Sequence, residues 1–182
     1  MAGLVLAKSQ SNRLTDKNTL DFHGEPMFLV NTKKCLELFD SVYVSSDSRE
    51  ILKQAEEIGA IPILRSEELC GDIPNIPVYQ HALRIMPKDI QGIVAVQANS
   101  PTVPSGVIEK VKILMNEGAK EVMTCHPDHE LYGSVWGISR DTLNSYTDFY
   151  NPQPVVRIID HSIDIHTSAD YVRALKEDKV YN

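Results

Sequence analysis

Along this chain, short apolar runs of strand length alternate with stretches whose apolar residues recur at three- and four-residue spacing. Those two periods separate strand from helix. Strands are predicted at 4–7, 42–45, 61–64, 93–96 and 122–124, and the 93–96 run is nearly all apolar, as in parallel-sheet strands covered on both faces. Pro26 is placed to open a helix at its first turn, with Met27, Phe28, Val30, Cys35 and Leu38 on one side through Phe39. Asp47 or Ser48 is placed to cap a helix bearing Ile51, Leu52, Ala55 and Ile58, which Gly59 stops. Two more helices carry Val78, Ala82, Leu83 and Ile85 before Pro87, and Val107, Val111 and Leu114 between Pro104 and Gly118. Residues 131–139 read as a strand leading into a short segment at 140–144. A last strand follows at 155–159 and a last helix at 168–175, capped by Thr167 or Ser168.

Residues 65–77 fit neither period. They hold two prolines and a Gly-Asp pair and read as a functional connection. Strand and helix alternate over the first two thirds of the chain, and the remainder is richer in strand. The fold class expected is therefore α/β, a doubly wound, mostly parallel sheet with one antiparallel edge strand. A length of 182 residues suits one domain over 1–182.

Composition narrows the function. With 42% apolar and 24% charged residues the chain can bury an ordinary core. No apolar run approaches the ~20 residues of a membrane span. A strand at the very N-terminus, in place of a basic and then apolar leader, leads us to expect no secretory signal. Cys35, Cys70 and Cys125 are sparse and odd in number, which suggests reduced thiols and a cytoplasmic location. A net charge of −7 without a basic stripe argues against nucleic-acid binding and still permits a nucleotide site built from a few local cations.

Candidate chemistry gathers where strands end, because α/β sheets bind ligands outside the carboxyl ends of their strands. The loop after the first strand carries Lys8, Ser9, Ser11, Arg13, Lys17 and Asn18. It matches neither the P-loop nor the dinucleotide fingerprint, and reads either as a phosphate cradle or as a solvated surface loop. Arg65 follows the third strand and could fork onto a base edge or a phosphate. Gln97 ends the fourth and, as donor and acceptor, suits a ribose diol. Asp164 and His166 alternate around Ile165, so an extended segment would aim both the same way, toward a shared divalent ion or simply toward solvent. The Cys125-His126-Pro127-Asp128-His129 cluster has no partner cluster at ligand spacing, which disfavours a structural zinc. His23 reads as a turn residue, His81 as a helix-surface residue and Trp136 as core.

Taken in order, these blocks resemble the CMP-sialic acid synthetases (N-acylneuraminate cytidylyltransferases) and, more distantly, the CMP-Kdo synthetases. The resemblance rests on Ala7-Lys8-Ser9-Gln10-Ser11-Asn12-Arg13-Leu14-Thr15-Asp16-Lys17-Asn18, Gly24-Glu25-Pro26, and Phe39-Asp40-Ser41-Val42-Tyr43-Val44-Ser45-Ser46-Asp47. It continues through Leu64-Arg65-Ser66-Glu67-Glu68-Leu69-Cys70-Gly71-Asp72, Val96-Gln97-Ala98-Asn99-Ser100-Pro101, and Ser162-Ile163-Asp164-Ile165-His166-Thr167-Ser168-Ala169-Asp170. It implies a Rossmann-like nucleotidyltransferase domain that moves CMP from CTP to a nonulosonic or related 3-deoxy 2-keto sugar acid, releasing pyrophosphate. By position, Ser11 and Lys17 would meet the phosphates, with Lys17 nearest the α-phosphate, and Arg13 and Lys8 would add charge. Asn18 and Arg65 would read cytosine, Gln97 would hold the ribose, and Asp164 would bind the catalytic magnesium.

The chain departs from that family at identifiable places. Lys8 stands for an arginine, Ser9-Gln10 for a glycine pair, Thr102-Val103 for Leu-Arg, and His166 for a second metal-binding aspartate, which would admit manganese as well as magnesium. The segment between the histidine cluster and Gly133-Ser134-Val135-Trp136 is short where the family inserts its dimerisation element, so homo-oligomerisation stays open. Two other readings keep the fold: a nucleotidyltransferase with a different base or acceptor, and a nucleotide-binding or assembly protein without turnover.

Overall fold

The computed structural model describes residues 1–11 and 13–181. Strands β1 (Ala2–Leu6), β4 (Val42–Ser46), β5 (Ile61–Leu64), β6 (Gly92–Gln97), β7 (Glu121–Cys125), β8 (Leu131–Ser139) and β9 (Val156–Ile159) form one sheet in the order β5-β4-β1-β6-β8-β7-β9. β2 (Asp21–Phe22) and β3 (Glu25–Pro26) make a separate small hairpin that the hydrophobic pattern is too short to signal.

Helices α1 (Met27–Leu38), α2 (Arg49–Glu57) and α4 (Ser105–Asn116) cover one face, and α3 (Asn75–Ile85) and α5 (Arg140–Ser145) the other. The strands divide their side chains between the two. Val5 and Ala7 join Phe28, Cys35, Ile51 and Val111 on the first face, while Leu4 and Leu6 join Tyr79, Ala82, Leu83 and Trp136 on the second. This is the doubly wound arrangement expected from the alternation.

The expected antiparallel strand is present but lies inside the sheet. β8 runs antiparallel to both β6 and β7, and the edges are β5 and β9, each paired in parallel to its neighbour. Residues 133–138 of β8 are all buried, the signature of a strand covered on both faces. α4 packs closely there: a Cβ on Gly137 would come within 2.6 Å of Val111 Cγ1 and 2.7 Å of Met115 Cγ.

Other departures are local. Pro26 sits at the N-cap of α1, one position before the helix, and Ser48 rather than Asp47 caps α2, its hydroxyl accepting from the Ile51 N–H at 3.3 Å. α3 starts at Asn75 and takes Pro77 into its first turn, where a missing N–H costs no helical bond, so the irregular connection is shorter than the sequence suggests. Ile85, expected on the buried face of α3, is exposed, and Ile76, Tyr79 and Met86 fill that side.

A third apolar cluster matters for function. Phe22 and Met27 pack against Ile163 and Ile165 of the segment entering α6 (Ser168–Tyr181) and against Ala174 within that helix. Burying Ile163 and Ile165 leaves Asp164 and His166 facing outward from the opposite side of an extended stretch.

Candidate active site

β1 lies between β4 and β6, so the strand order reverses at this point and the loops after β1 and β6 diverge around a crevice. Three contiguous cavities fill it. A central cleft of about 280 Å³ is lined by Lys8, Ser11, Arg13 and Lys17 on one wall and Gln97, Asn99, Asp164 and His166 on the other. A smaller cavity of about 90 Å³ adds Asn18 and Arg65. A third of about 380 Å³ opens on the opposite side toward Trp136 and the loop 149–153. Lys8, Ser11, Arg13, Lys17, Asn18, Arg65, Gln97, Asp164 and His166 thus fall on the first two cavities, whereas Ser9 lines none of the three. Gln97 and Asn75 line all three.

The β1 loop is held by its own polar contacts. Both Ser9 donors are taken by Asp47 at the end of β4, its N–H by Oδ1 at 2.7 Å and its hydroxyl by Oδ2 at 2.9 Å. Ser9 is therefore an anchor for the loop, which corrects its reading as a phosphate donor. Burial alone would raise the Asp47 carboxyl; the two Ser9 donors and the nearby Arg65 charge outweigh it and hold that carboxyl below its ordinary range. Asn18 donates one amide N–H to the Lys8 carbonyl at 2.9 Å and closes the loop on itself.

Lys17 is 8% exposed and lies in a one-turn helix, Lys17–Thr19. Burial pulls its ammonium below the ordinary lysine range; Asp164 opposes the shift, and Arg13 and Lys8 add to it. A cation held at such cost, with two others beside it, is a site short of negative charge. Lys8 is partly balanced by Asp72 at 3.8 Å, and Arg13 is exposed at the rim.

Arg65 is fixed flat against the end of β4. Its Nε donates to Ser45 Oγ at 3.1 Å and its Nη2 to the Ser45 carbonyl at 2.8 Å, leaving the rest of the fork for a ligand. Gln97 donates from Nε2 to the buried Tyr79 hydroxyl at 3.2 Å, so its carbonyl oxygen is left for the crevice.

On the opposite wall, Asp164 Oδ2 lies 2.6 Å from His166 Nε2, and Asp164 Oδ1 accepts from Asn99 Nδ2. The Ile165 N–H donates to the Asn99 carbonyl at 2.9 Å, tying this segment to the exit of β6. The Asp170 carboxylate accepts from the N–H groups of His166 and Thr167, and the Thr167 hydroxyl accepts from the Asp170 N–H. That reciprocal cap starts α6 at Thr167, the first of the two residues expected there.

Among the described residues, no group of three or more His, Cys, Asp or Glu could form a metal cage. One carboxylate and one imidazole at a cationic cleft do fit a divalent ion shared with substrate phosphates, the usual way magnesium is held at nucleotide sites. In the histidine cluster of the β7–β8 turn, the His126 ring stacks on Tyr132 with centroids 4.4 Å apart.

Asn75, Asn99, Tyr132 and Asp72 also line the central cleft and were missed from sequence. Asn99 was legible as a polar residue two places beyond a strand end. Asn75 and Tyr132 reach the crevice only through the placement of α3 and the interior position of β8.

Residues 2–179 match the family described as Cytidylyltransferase. The chain is 26% identical over 176 residues to a 3-deoxy-manno-octulosonate cytidylyltransferase of Psychrobacter cryohalolentis, covering 94% of this chain and 57% of that one. It is 28% identical over 123 residues to a pseudaminic acid cytidylyltransferase of Campylobacter jejuni, covering 63% and 53%. The chain thus spans about half the length of these curated relatives. A solved CMP:2-keto-3-deoxy-manno-octonic acid synthetase complexed with CTP superimposes with a TM-score of 0.80 at 14% identity, over 100% of this chain and 99% of that one. With the family match running over nearly its whole length, the chain belongs to the cytidylyltransferase family.

Proposed function

We propose that residues 1–182 form one nucleotidyltransferase domain that transfers CMP from CTP to a 3-deoxy 2-keto sugar acid and releases pyrophosphate. One observation carries this reading: Lys8, Arg13 and Lys17 converge with Asp164 in a single cleft at the strand-order reversal, and the most buried of the cations is held without enough counter-charge. A triphosphate supplies that charge.

Cytosine is assigned to the small cavity, against Asn18 and the free edge of Arg65. The Gln97 carbonyl is assigned to the ribose and the three cations with Ser11 to the triphosphate. The anomeric hydroxyl of the acid attacks the α-phosphorus, a new P–O bond forms, the bond to the bridging oxygen breaks, and pyrophosphate departs with the electron pair while the hydroxyl proton passes to water. Lys17 holds positive charge where the α-phosphoryl oxygens gain negative charge, and the cleft fixes the approach; such transfers depend mainly on positioning and charge neutralisation. A magnesium or manganese ion, which Asp164 with His166 beside it would hold, would supply further charge neutralisation at the phosphates. Three cysteines without disulfides accord with a reducing, cytoplasmic setting, and no helix among the described residues is long and apolar enough to cross a membrane.

A second reading has one specific observation behind it. His166 occupies one oxygen of Asp164, which favours a nucleotide-binding protein without turnover. Pyrophosphate release with CTP and a panel of sugar acids, in magnesium and then in manganese, separates the two. Release with at least one acid is expected. CTP binding without release from any acid would establish the binding protein, and a preference for UTP or GTP would displace the cytosine assignment.

A further inference from the structure

The loop that leaves β6 is built of two consecutive turns that share Ser100. The Ser100 N–H donates to the Gln97 carbonyl at 3.3 Å, and the Val103 N–H donates to the Ser100 carbonyl at 3.1 Å. This double turn reaches both the nucleotide crevice and the opposite wall. Gln97 stands at its start and lines the crevice. Asn99 holds Asp164 by its side-chain amide and takes the Ile165 N–H on its carbonyl at 2.9 Å, while the Thr102 hydroxyl takes the Ile163 N–H at 2.9 Å. Where the double turn sits therefore decides where Gln97 and Asp164 sit.

Its position is set from outside the cleft, by α1. Asn31 is fully buried, and its amide nitrogen donates to the Gln97 carbonyl and to the Ser100 carbonyl, each at 2.8 Å. A side-chain amide carries two N–H donors on one planar group. One residue thus draws the first carbonyl of each turn to a single point and fixes the angle between the turns. Further along the helix, the Lys34 ammonium donates to the carbonyls of Pro101 and Val103 at 2.5 and 2.9 Å.

Asn31 is poorly suited to a purely packing role. Its Oδ1 is buried with no hydrogen-bond partner among the described residues. An unmet buried acceptor costs stability, and an apolar side chain of similar size would fill the space without that cost. Both turn carbonyls also keep their backbone N–H partners when the amide is removed, so the loop stays closed and only its orientation is freed.

We propose that Asn31 is a positioning residue for the transfer, an inference that rests on the reaction proposed above. It staples the double turn 97–103 to α1, so that Gln97 meets the ribose and Asn99 holds Asp164 toward the phosphates.

The test measures, by titration calorimetry, the affinity of the protein for CTP and for its 2′-deoxy and 3′-deoxy analogues. One neutral hydrogen bond to the ribose is worth up to about 10-fold in affinity, so the wild-type protein should favour CTP over at least one analogue by several-fold. Asn31→Ala should shrink that preference to the level of Gln97→Ala, and combining the two should shrink it no further, because both act on one contact. Asn31→Ser keeps one donor and should fall between, which supplies the measurement if the alanine variant does not fold. Thr32→Val is the control: this neighbour is equally buried, and its hydroxyl donates back to the Phe28 carbonyl of the same helix at 2.7 Å. It should lower the thermal midpoint and leave the ribose preference unchanged. A preference that survives Asn31→Ala, additive losses in the double variant, or an equal loss in Thr32→Val would overturn the inference. CTP binding by the wild-type protein without any ribose preference would overturn it too, with the cytidylyltransferase reading still standing. No binding of CTP at all is the distinguishable result that removes that reading and this inference with it.

Discussion

In the proposed reaction, Lys17 concentrates the conflict between stability and activity in one side chain. Its ammonium is buried beside two other cations, and burial depresses its ionisation. For a lysine whose folded-state pKa is below its unfolded value, the unfolded chain binds the proton more readily, so the ionised form costs stability at neutral pH. That cost disappears as pH rises above the ordinary lysine value. Lys17→Met should therefore raise the thermal midpoint of the ligand-free protein while abolishing turnover, measured by thermal melts and pyrophosphate release. The same depression predicts that CTP affinity, measured by titration calorimetry, falls at alkaline pH before an ordinary lysine would deprotonate. Lys17→Arg should flatten that limb. The cation count of this loop was legible in the sequence, but its division of labour was not. Ser9 and Ser11 look equivalent on paper, and only Asp47, brought alongside by β4, takes both donors of Ser9 and leaves Ser11 at the cleft.

At the scale of elements, the entry to α6 carries the Asp164–His166 wall of the cleft. Ile163 and Ile165 are pinned in an apolar cluster, and the Thr167–Asp170 cap fixes where the extended segment ends. Burial would raise the Asp170 carboxyl, but the Thr167 hydroxyl and the Thr167 and His166 N–H groups outweigh it and hold it low. A depressed carboxylate contributes stability above the ordinary aspartate range and loses it as pH falls through the lowered value. Thr167→Ala should cost about 1 kcal/mol of stability, the usual worth of an N-cap, and should raise the metal concentration needed for half-maximal turnover, read from denaturant melts and metal titrations. Thr167 was one of two caps expected from the pattern, and the alternation of Asp164 with His166 was legible as well. Their anchoring by Asn99 was not, because a contact across 65 residues of chain leaves no periodic trace.

For the molecule as a whole, strand and helix alternation revealed the layers and the presence of an antiparallel strand, which lies inside the sheet and not at its edge. Period-two patterning shows which residues face a core, but it carries no information on whether a neighbouring strand runs up or down. The short stretch between β7 and β8 allows only an antiparallel return, and the buried run of β8 shows why that return is interior. A close packing point of the sheet sits on this strand, at Gly137 under α4. Gly137→Ala should lower stability by about 1–3 kcal/mol, the usual cost of overpacking. The KM for CTP of the folded fraction should stay unchanged, checked by melts alongside kinetics.

The two walls of the cleft come from opposite ends of the described chain, residues 8–18 and 164–166. That placement has a kinetic meaning. Contacts so far apart in sequence close a long loop and form late in folding, after β1, β4 and β6 can already have paired. Nucleotide binding should therefore return after the bulk of the secondary structure during refolding. Recovery of CTP binding in step with the far-ultraviolet signal would show the walls meeting early.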